Sequence, residues 1–243
     1  FNSRKRGKIF VLSSFLIVLF ALLTCLQTPS IIPDRSEEQP DEPTKKKDKG
    51  PNRSAWSENM IFINDTDPLN DWNHTALTYP WCSGNGTWDN PYIIENVSVN
   101  AQNSSDGITV YNSNVYFIIR NCTVYNSTLE WGAGIFLNNV QKGTVMENNF
   151  DFNGFQGISL DNCYNCSIIN NTCRYNRRMD DGYGILMSNN NWIHIQGNNL
   201  SDNANMGISM SNDHNCTIMD NVFKNNEHGI YLTSSSDNQI INN

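Results

Sequence analysis

Apart from one stretch near its start, this 243-residue chain has no long apolar run, and it lacks much else besides. Positive charge is scarce. Residues 1–58 hold ten of the sixteen Lys and Arg and seven of the 24 Asp and Glu, which leaves residues 59–243 with six against seventeen. Affinity for nucleic acid comes mainly from cationic contacts to phosphate, so this balance argues against such a partner. It suits an external, solvated surface, or cation binding. Histidine is limited to His74, His194, His214 and His228 at unrelated places, and Cys163-x-x-Cys166 has no second Cys-x-x-Cys to complete a zinc site. No metal centre is expected from that set. Helical periodicity is missing too. Apolar residues alternate in short runs broken by Asn, Gly and Ser, which is the chemistry of strands and turns.

What the chain has instead is a repeat. A Gly-Ile pair recurs at Gly107, Gly134, Gly157, Gly184, Gly207 and Gly229, at intervals of 27, 23, 27, 23 and 22 residues. Three after each glycine stand Val110, Leu137, Leu160, Met187, Met210 and Leu232; eleven after it stand Ile118, Val145, Ile168, Ile195, Ile218 and Ile240. Fourteen after it is always asparagine: Asn121, Asn148, Asn171, Asn198, Asn221 and Asn243. Nineteen after it, Asn126, Asn153, Asn176, Asn203 and Asn226 repeat the choice. A period of this length means a solenoid, in which each unit buries its apolar face only against its neighbours. Each coil should hold three short strands and stack at ~4.8 Å, so that every column becomes a ladder. Stacked asparagines then satisfy buried turn backbone, and the column from Asn121 to Asn243 is expected to be structural.

The regions follow in order. In residues 1–27, Arg4, Lys5, Arg6 and Lys8 precede an eighteen-residue apolar run, residues 9–26. That length can span a bilayer, and the basic flank puts the N-terminus inside and the rest outside. An uncleaved membrane anchor is preferred over a cleaved signal peptide, since no small-x-small site follows. Residues 28–58 are Pro-, Lys- and Glu-rich and read as a disordered charged linker. Residues 59–103 are expected to form an N-terminal cap and first coil, with Ile61-Phe62-Ile63 as a first strand. The aromatics Trp72, Tyr79, Trp81 and Trp88 read as the cap a solenoid end needs, in preference to a sugar-binding platform. Residues 104–243 are the repeats. The first residue is Phe, and the last coil stops fourteen residues after Gly229, so the chain reads as a fragment truncated at its C-terminus.

The longer intervals arise at one corner, where loops 127–133 (STLEWGA) and 177–183 (RRMDDGY) replace the short GFQ, ANM or EH. Insertions in solenoids commonly line the binding face. A notch is expected with Glu130 and Trp131 on one wall and Arg177, Arg178, Asp180, Asp181 and Tyr183 on the other. Its floor would be Phe155, Ser159 and Asp161. An aromatic face with carboxylates and arginines suits a sugar, and Asp161, Asp180 and Asp181 are the candidate catalytic carboxylates, since paired carboxylates can act as acid and base. Asp180 and Asp181 are equally hard-oxygen ligands for Ca²⁺, the one cofactor these side chains suggest.

Other features read as structural. Asp151 and Arg174 share a column and are expected to form an exposed cross-coil pair worth under ~1 kcal/mol. Cys173 fills an inward column, Cys166 and Cys216 are two coils apart and too distant to bridge, and a Cys163–Cys166 disulfide in the turn stays open. Asn-x-Ser/Thr sequons abound. Asn73, Asn85 and Asn126 are credible glycan acceptors, whereas Asn121 is expected to be sealed in its ladder.

The Gly-Ile-x-Leu…Ile-x-x-Asn pattern resembles the parallel β-helix repeat of pectin-lyase-like right-handed β-helices. It is especially similar to the NosD-type group of carbohydrate-binding and sugar-hydrolase-like repeats. The segment from Gly86 to Ile94 resembles the lead-in to such helices in archaeal surface proteins. The resemblance covers roughly residues 84–243. It implies an all-β fold: a right-handed parallel β-helix of three-stranded coils of about 22–23 residues, preceded by a transmembrane or signal segment. It implies less about function, because the fold hosts lyases, hydrolases, epimerases, adhesins and accessory proteins. The repeated Asp-rich signature of pectin-degrading enzymes is missing, and no ligand cluster matches the copper association of the NosD type. The expectation is an extracellular, membrane-tethered module that binds carbohydrate or another cell-surface polymer, or serves as a structural rod. The alternative is a polysaccharide lyase or glycoside hydrolase acting in the notch.

Overall fold

The computed structural model describes residues 56–103, 106–128, 130–177 and 181–243. The apolar run at residues 9–26, most of the linker, and Arg178 and Asp180 lie outside the described residues. Among those described, no helix is long and apolar enough to cross a membrane.

The alternating runs form strands that stack into a parallel β-helix. Sheet I has seven strands: Ile61–Asn64, Ile108–Tyr111, Ala133–Asn138, Gln156–Asp161, Tyr183–Ser188, Met206–Ser211 and His228–Thr233. Sheet II has eight, running from Cys82–Ser83 and Tyr92–Glu95 through Gly143–Met146 to Gln239–Ile241, and all its pairings except the first are parallel. Sheet III is short, with Trp56–Glu58, Val97–Asn100 and Thr123–Tyr125, and continues as single bridges through Asn149, Thr172, Asn199 and Val222. In sheet I, Ile61, Ile108, Ile135, Ile158, Ile185, Ile208 and Ile230 stand in one register, pointing into the core. Period-two alternation gives each strand one buried and one outward row. The glycine column has a steric cause. A Cβ on Gly157 would lie 2.6 Å from the Cys173 Cβ and 2.8 Å from the Gly184 carbonyl oxygen, and Gly134 and Gly184 meet the next glycine in the same way.

Asparagine does two jobs at the corners, and at some of them two successive asparagines share the work. One residue takes the left-handed conformation that Asn tolerates better than most, and the next turns its amide inward. Asn170 (φ 53°) precedes Asn171, Asn189 (57°) precedes Asn190, and Asn225 (57°) precedes Asn226. Asn171 shows the inward role. Its Oδ1 accepts from the Asn148 backbone N–H and side-chain amide, both at 3.0 Å, and its Nδ2 donates to the Val145 carbonyl (2.9 Å) and to Asn198 Oδ1 (3.0 Å). Asn198, Asn221 and Asn243 continue the pattern, and Asn153, Asn176, Asn203 and Asn226 build a second ladder. A third ladder runs through Cys163, Asn190, Asp213 and Ser235, in a column too mixed to see in the sequence.

The coil that begins at Gly107 corrects the register. It has one extra residue between Asn112 and Phe117, so Val145 pairs with Ile119 and not Ile118. Ile119 is fully buried, whereas Ile118 faces outward. For the same reason Asn121 is not in the ladder. Cys122 takes that place, its backbone N–H donating to Asn148 Oδ1 (2.9 Å), and Asn121 is an exposed left-handed corner residue (φ 52°). Ser127 likewise replaces Asn126 at the start of the second ladder. The Asn121 sequon is therefore not sealed. A second correction concerns Asp151, which is only 4% exposed: Arg174 donates to it from its backbone N–H (2.7 Å) and its guanidinium (2.9 Å).

The opening segment contains a helix, Trp72–Thr78, capped by Asp71. Trp72 is buried, stacks on Phe117 (4.7 Å) and Tyr92 (5.5 Å), and donates its indole N–H to Ser113 Oγ (2.9 Å). It plugs the apolar end of the core.

Candidate ligand-binding site

The two enlarged corners frame a cluster on sheet I built from backbone outward. The Gly132 carbonyl, at the end of loop 127–133, accepts from the backbone N–H groups of Phe155 (3.0 Å) and Gln156 (3.2 Å). One coil on, the Tyr183 N–H donates to the Phe155 carbonyl (2.9 Å), and the Gly182 carbonyl accepts from Asn205 and Met206. Each loop is thus pinned to the coil that follows it. The rings interlock in consequence. Trp131 meets Phe155 edge-on at 4.9 Å, and Phe155 meets Tyr183 edge-on at 5.2 Å. Phe155 is only 2% exposed and is the packed centre of the trio, whereas Trp131 is 67% exposed.

The polar groups around this trio are placed as follows. Burial, with the Asp181 carboxylate beside it, pushes the Tyr183 pKa up to about 12. Asp181 accepts from Asn205 Nδ2 (2.9 Å). Glu130 and Arg177 are exposed at the two loops. Ser159 is half-buried between Phe136 and Leu186 in the outward row of sheet I. Asp161 accepts from Asn138 Nδ2 (2.9 Å) and Asn189 Nδ2 (3.4 Å). It registers with Ser188, at the far end of the strand that begins at Tyr183. Asp161 and Asp181 are therefore separated by roughly 16 Å or more at ~3.3 Å per residue. Carboxyl pairs in glycoside hydrolysis stand about 5–9.5 Å apart, so these two do not form one.

Gln156 lies between the two loops and was not legible in the sequence, because its column reads Asp106, Ala133, Gln156, Tyr183, Met206 and His228. It is 4% exposed, and its Oε1 is a buried acceptor without a hydrogen-bond partner. An unsatisfied buried acceptor costs about 1–3 kcal/mol. Its one sequence signal is position, next to Phe155 at the short corner between the long ones. Among the described residues, no three His, Cys, Asp or Glu side chains converge as metal ligands. His194 instead contacts Gln196 Oε1 (3.0 Å), and His214 contacts Ser236 Oγ (3.0 Å).

A family model described as periplasmic copper-binding protein (NosD) matches residues 83–243. No curated protein matches the chain. Among solved structures, the periplasmic alginate epimerase AlgG is similar at 17% identity and a TM-score of 0.49, over 61% of this chain and 45% of that one. The enzymatically active domain of tailspike protein 2 from bacteriophage CBA120 is similar at 14% identity and a TM-score of 0.39, over 77% of this chain and 36% of that one. The chain thus spans less than half the length of either structure.

Proposed function

The chain belongs to the NosD family, and from that premise we propose that its β-helix is an exported module that binds carbohydrate polymer at the corner where Trp131, Phe155 and Tyr183 meet. The observation that carries this reading is a broadly exposed indole, Trp131, held edge-on against the sealed Phe155 ring, which in turn meets Tyr183, between two enlarged corners. Binding sites for small polar ligands combine aromatic surface with a few fixed polar groups. Glu130, Arg177 and Asp181 add hydroxyl-binding groups at the rim, and Ser159 extends the outward face of sheet I. The apolar run at residues 9–26 and the acidic solenoid support placement outside the membrane, with residues 28–58 as the tether. The family description names copper. Among the described residues no three His, Cys, Asp or Glu side chains converge on a site for it.

Pull-down of the full chain on immobilised polysaccharides, including uronate-containing ones, tests the reading. Binding to at least one is expected, weakened tenfold or more by Trp131→Ala and without release of product. Binding that Trp131→Ala leaves unchanged overturns the assignment of the site. Release of shortened polymer would make the chain a lyase or hydrolase instead. If chelation of Ca²⁺ abolishes binding, the loop carboxylates hold a cation.

A further inference from the structure

We propose that Cys163 and Cys166 form an oxidisable pair that closes into a disulfide across the corner between sheets I and II. Cys163 follows the strand Gln156–Asp161, and Cys166 immediately precedes the strand Ser167–Ile169. Two left-handed residues, Asn162 and Asn165 (both φ 53°), fold the backbone so that both side chains turn inward. The two residues are 2% and 1% exposed and stand at the two ends of one corner, both turned into the core. The other described cysteines have no such neighbour. Cys173 sits in the core, and Cys216 shares Cys166's row only with Ile193 between them, as the pairing of Ser167 with His194 and His194 with Thr217 shows. Two coils at ~4.8 Å each exceed the ~7 Å within which Cα atoms can be bridged.

In the closed corner the Cys163 S–H is directed to the Leu137 and Asp161 carbonyls (both 3.4 Å), and the Cys166 S–H to the Tyr164 carbonyl (3.5 Å). When the corner opens, one of the two thiolates attacks one sulfur of an external disulfide, forming a mixed disulfide and releasing one thiolate. The other thiol then loses its proton and displaces the second thiolate. The pair gives up two electrons and two protons, and the external disulfide becomes two thiols. Burial makes this wait for the corner to open, so oxidation is faster in the unfolded chain than in the folded one.

A competing use for two soft donors is to hold Cu(I) between them. Two thiolates and one Cu⁺ leave a net negative charge in a sealed corner, and burying an uncompensated charge is costly. Lys142, the cation of the adjacent corner row, is directed to the Asn114 carbonyl (3.1 Å). The disulfide is neutral and needs no counter-ion.

The test uses the full chain, refolded from denaturant in glutathione buffers from reducing to oxidising, then acid-quenched, unfolded and alkylated. At oxidising ratios, peptide mass should show Cys163 and Cys166 protected together and two hydrogens lighter, with Cys82, Cys122, Cys173 and Cys216 labelled. Dithiothreitol should restore both labels, and in Cys163→Ser the remaining Cys166 should label at every ratio. Complete labelling of wild type at the most oxidising ratio overturns the proposal. So does protection that needs added Cu(I) and never appears with glutathione disulfide alone.

Discussion

Replacing Asn171 with Leu tests the ladder directly. The Leu side chain has no polar atom, so the Asn148 N–H loses its acceptor at 3.0 Å and the Val145 carbonyl loses its donor at 2.9 Å. Asn198 Oδ1 still accepts from the residue 171 backbone (2.8 Å), and Asn148 Nδ2 still reaches the Ile119 carbonyl (2.9 Å), so neither is orphaned. Asn148 is 3% exposed, and water does not reach the lost partner. Two stranded groups at about 1–3 kcal/mol each give a loss of about 2–6 kcal/mol. The control is Asn121, which sits in the same sequence column but is an exposed left-handed corner. Glycine adopts that conformation freely, so Asn121→Gly should cost well under ~1 kcal/mol. Urea unfolding followed by far-ultraviolet circular dichroism separates them, because a loss of this size moves the midpoint on the order of 1 M or more. Equal midpoints for the two variants, or an Asn121→Gly midpoint as low as that of Asn171→Leu, would refute the register and the ladder energetics together.

Asp213 occupies an amide's place in the third ladder, and burial raises its carboxyl above the ordinary 3.8. Between that value and its raised folded value the unfolded chain ionises first, so the stabilising effect, full below 3.8, is lost as pH rises. Asp213→Asn should therefore gain on wild type from pH 3.5 to pH 7 in urea midpoints, and a constant or shrinking difference counts against the argument. Gly157→Ala places a Cβ 2.6 Å from Cys173 Cβ and should cost about 1–3 kcal/mol by thermal denaturation. An unaltered melting curve would show that the coils have slack. Arg174→Ala removes the guanidinium partner of Asp151, which is 4% exposed, so a loss of about 1–3 kcal/mol is expected, discounted for the partly exposed arginine. In the double variant with Asp151→Asn most of that loss should disappear, and an additive double variant would mean that the pair is uncoupled.

The Gly-Ile columns determined the solenoid, its inward rows and its structural asparagines, because in a stack of coils every position meets its own equivalent next door. Sequence periodicity and spatial contact are then the same thing. This reading failed where the period slipped. One extra residue before Phe117 moved Asn121 from ladder to surface and put Cys122 in its place, since only the pairing of Val145 with Ile119 reveals which residue faces in. The mixed column of Cys163, Asn190, Asp213 and Ser235 was invisible for a related reason: their shared role rests on backbone donors and acceptors that residue identity does not report. At the candidate site, the sequence determined where the two insertions fall and which aromatics they bring. Only the tertiary structure decided that Phe155 is sealed while Trp131 is open, that Asp161 and Asp181 lie at opposite ends of a strand, and that Gln156 has an oxygen to spare. Those outcomes depend on how loops fold over neighbouring coils, and loop residues carry no period from which to read it.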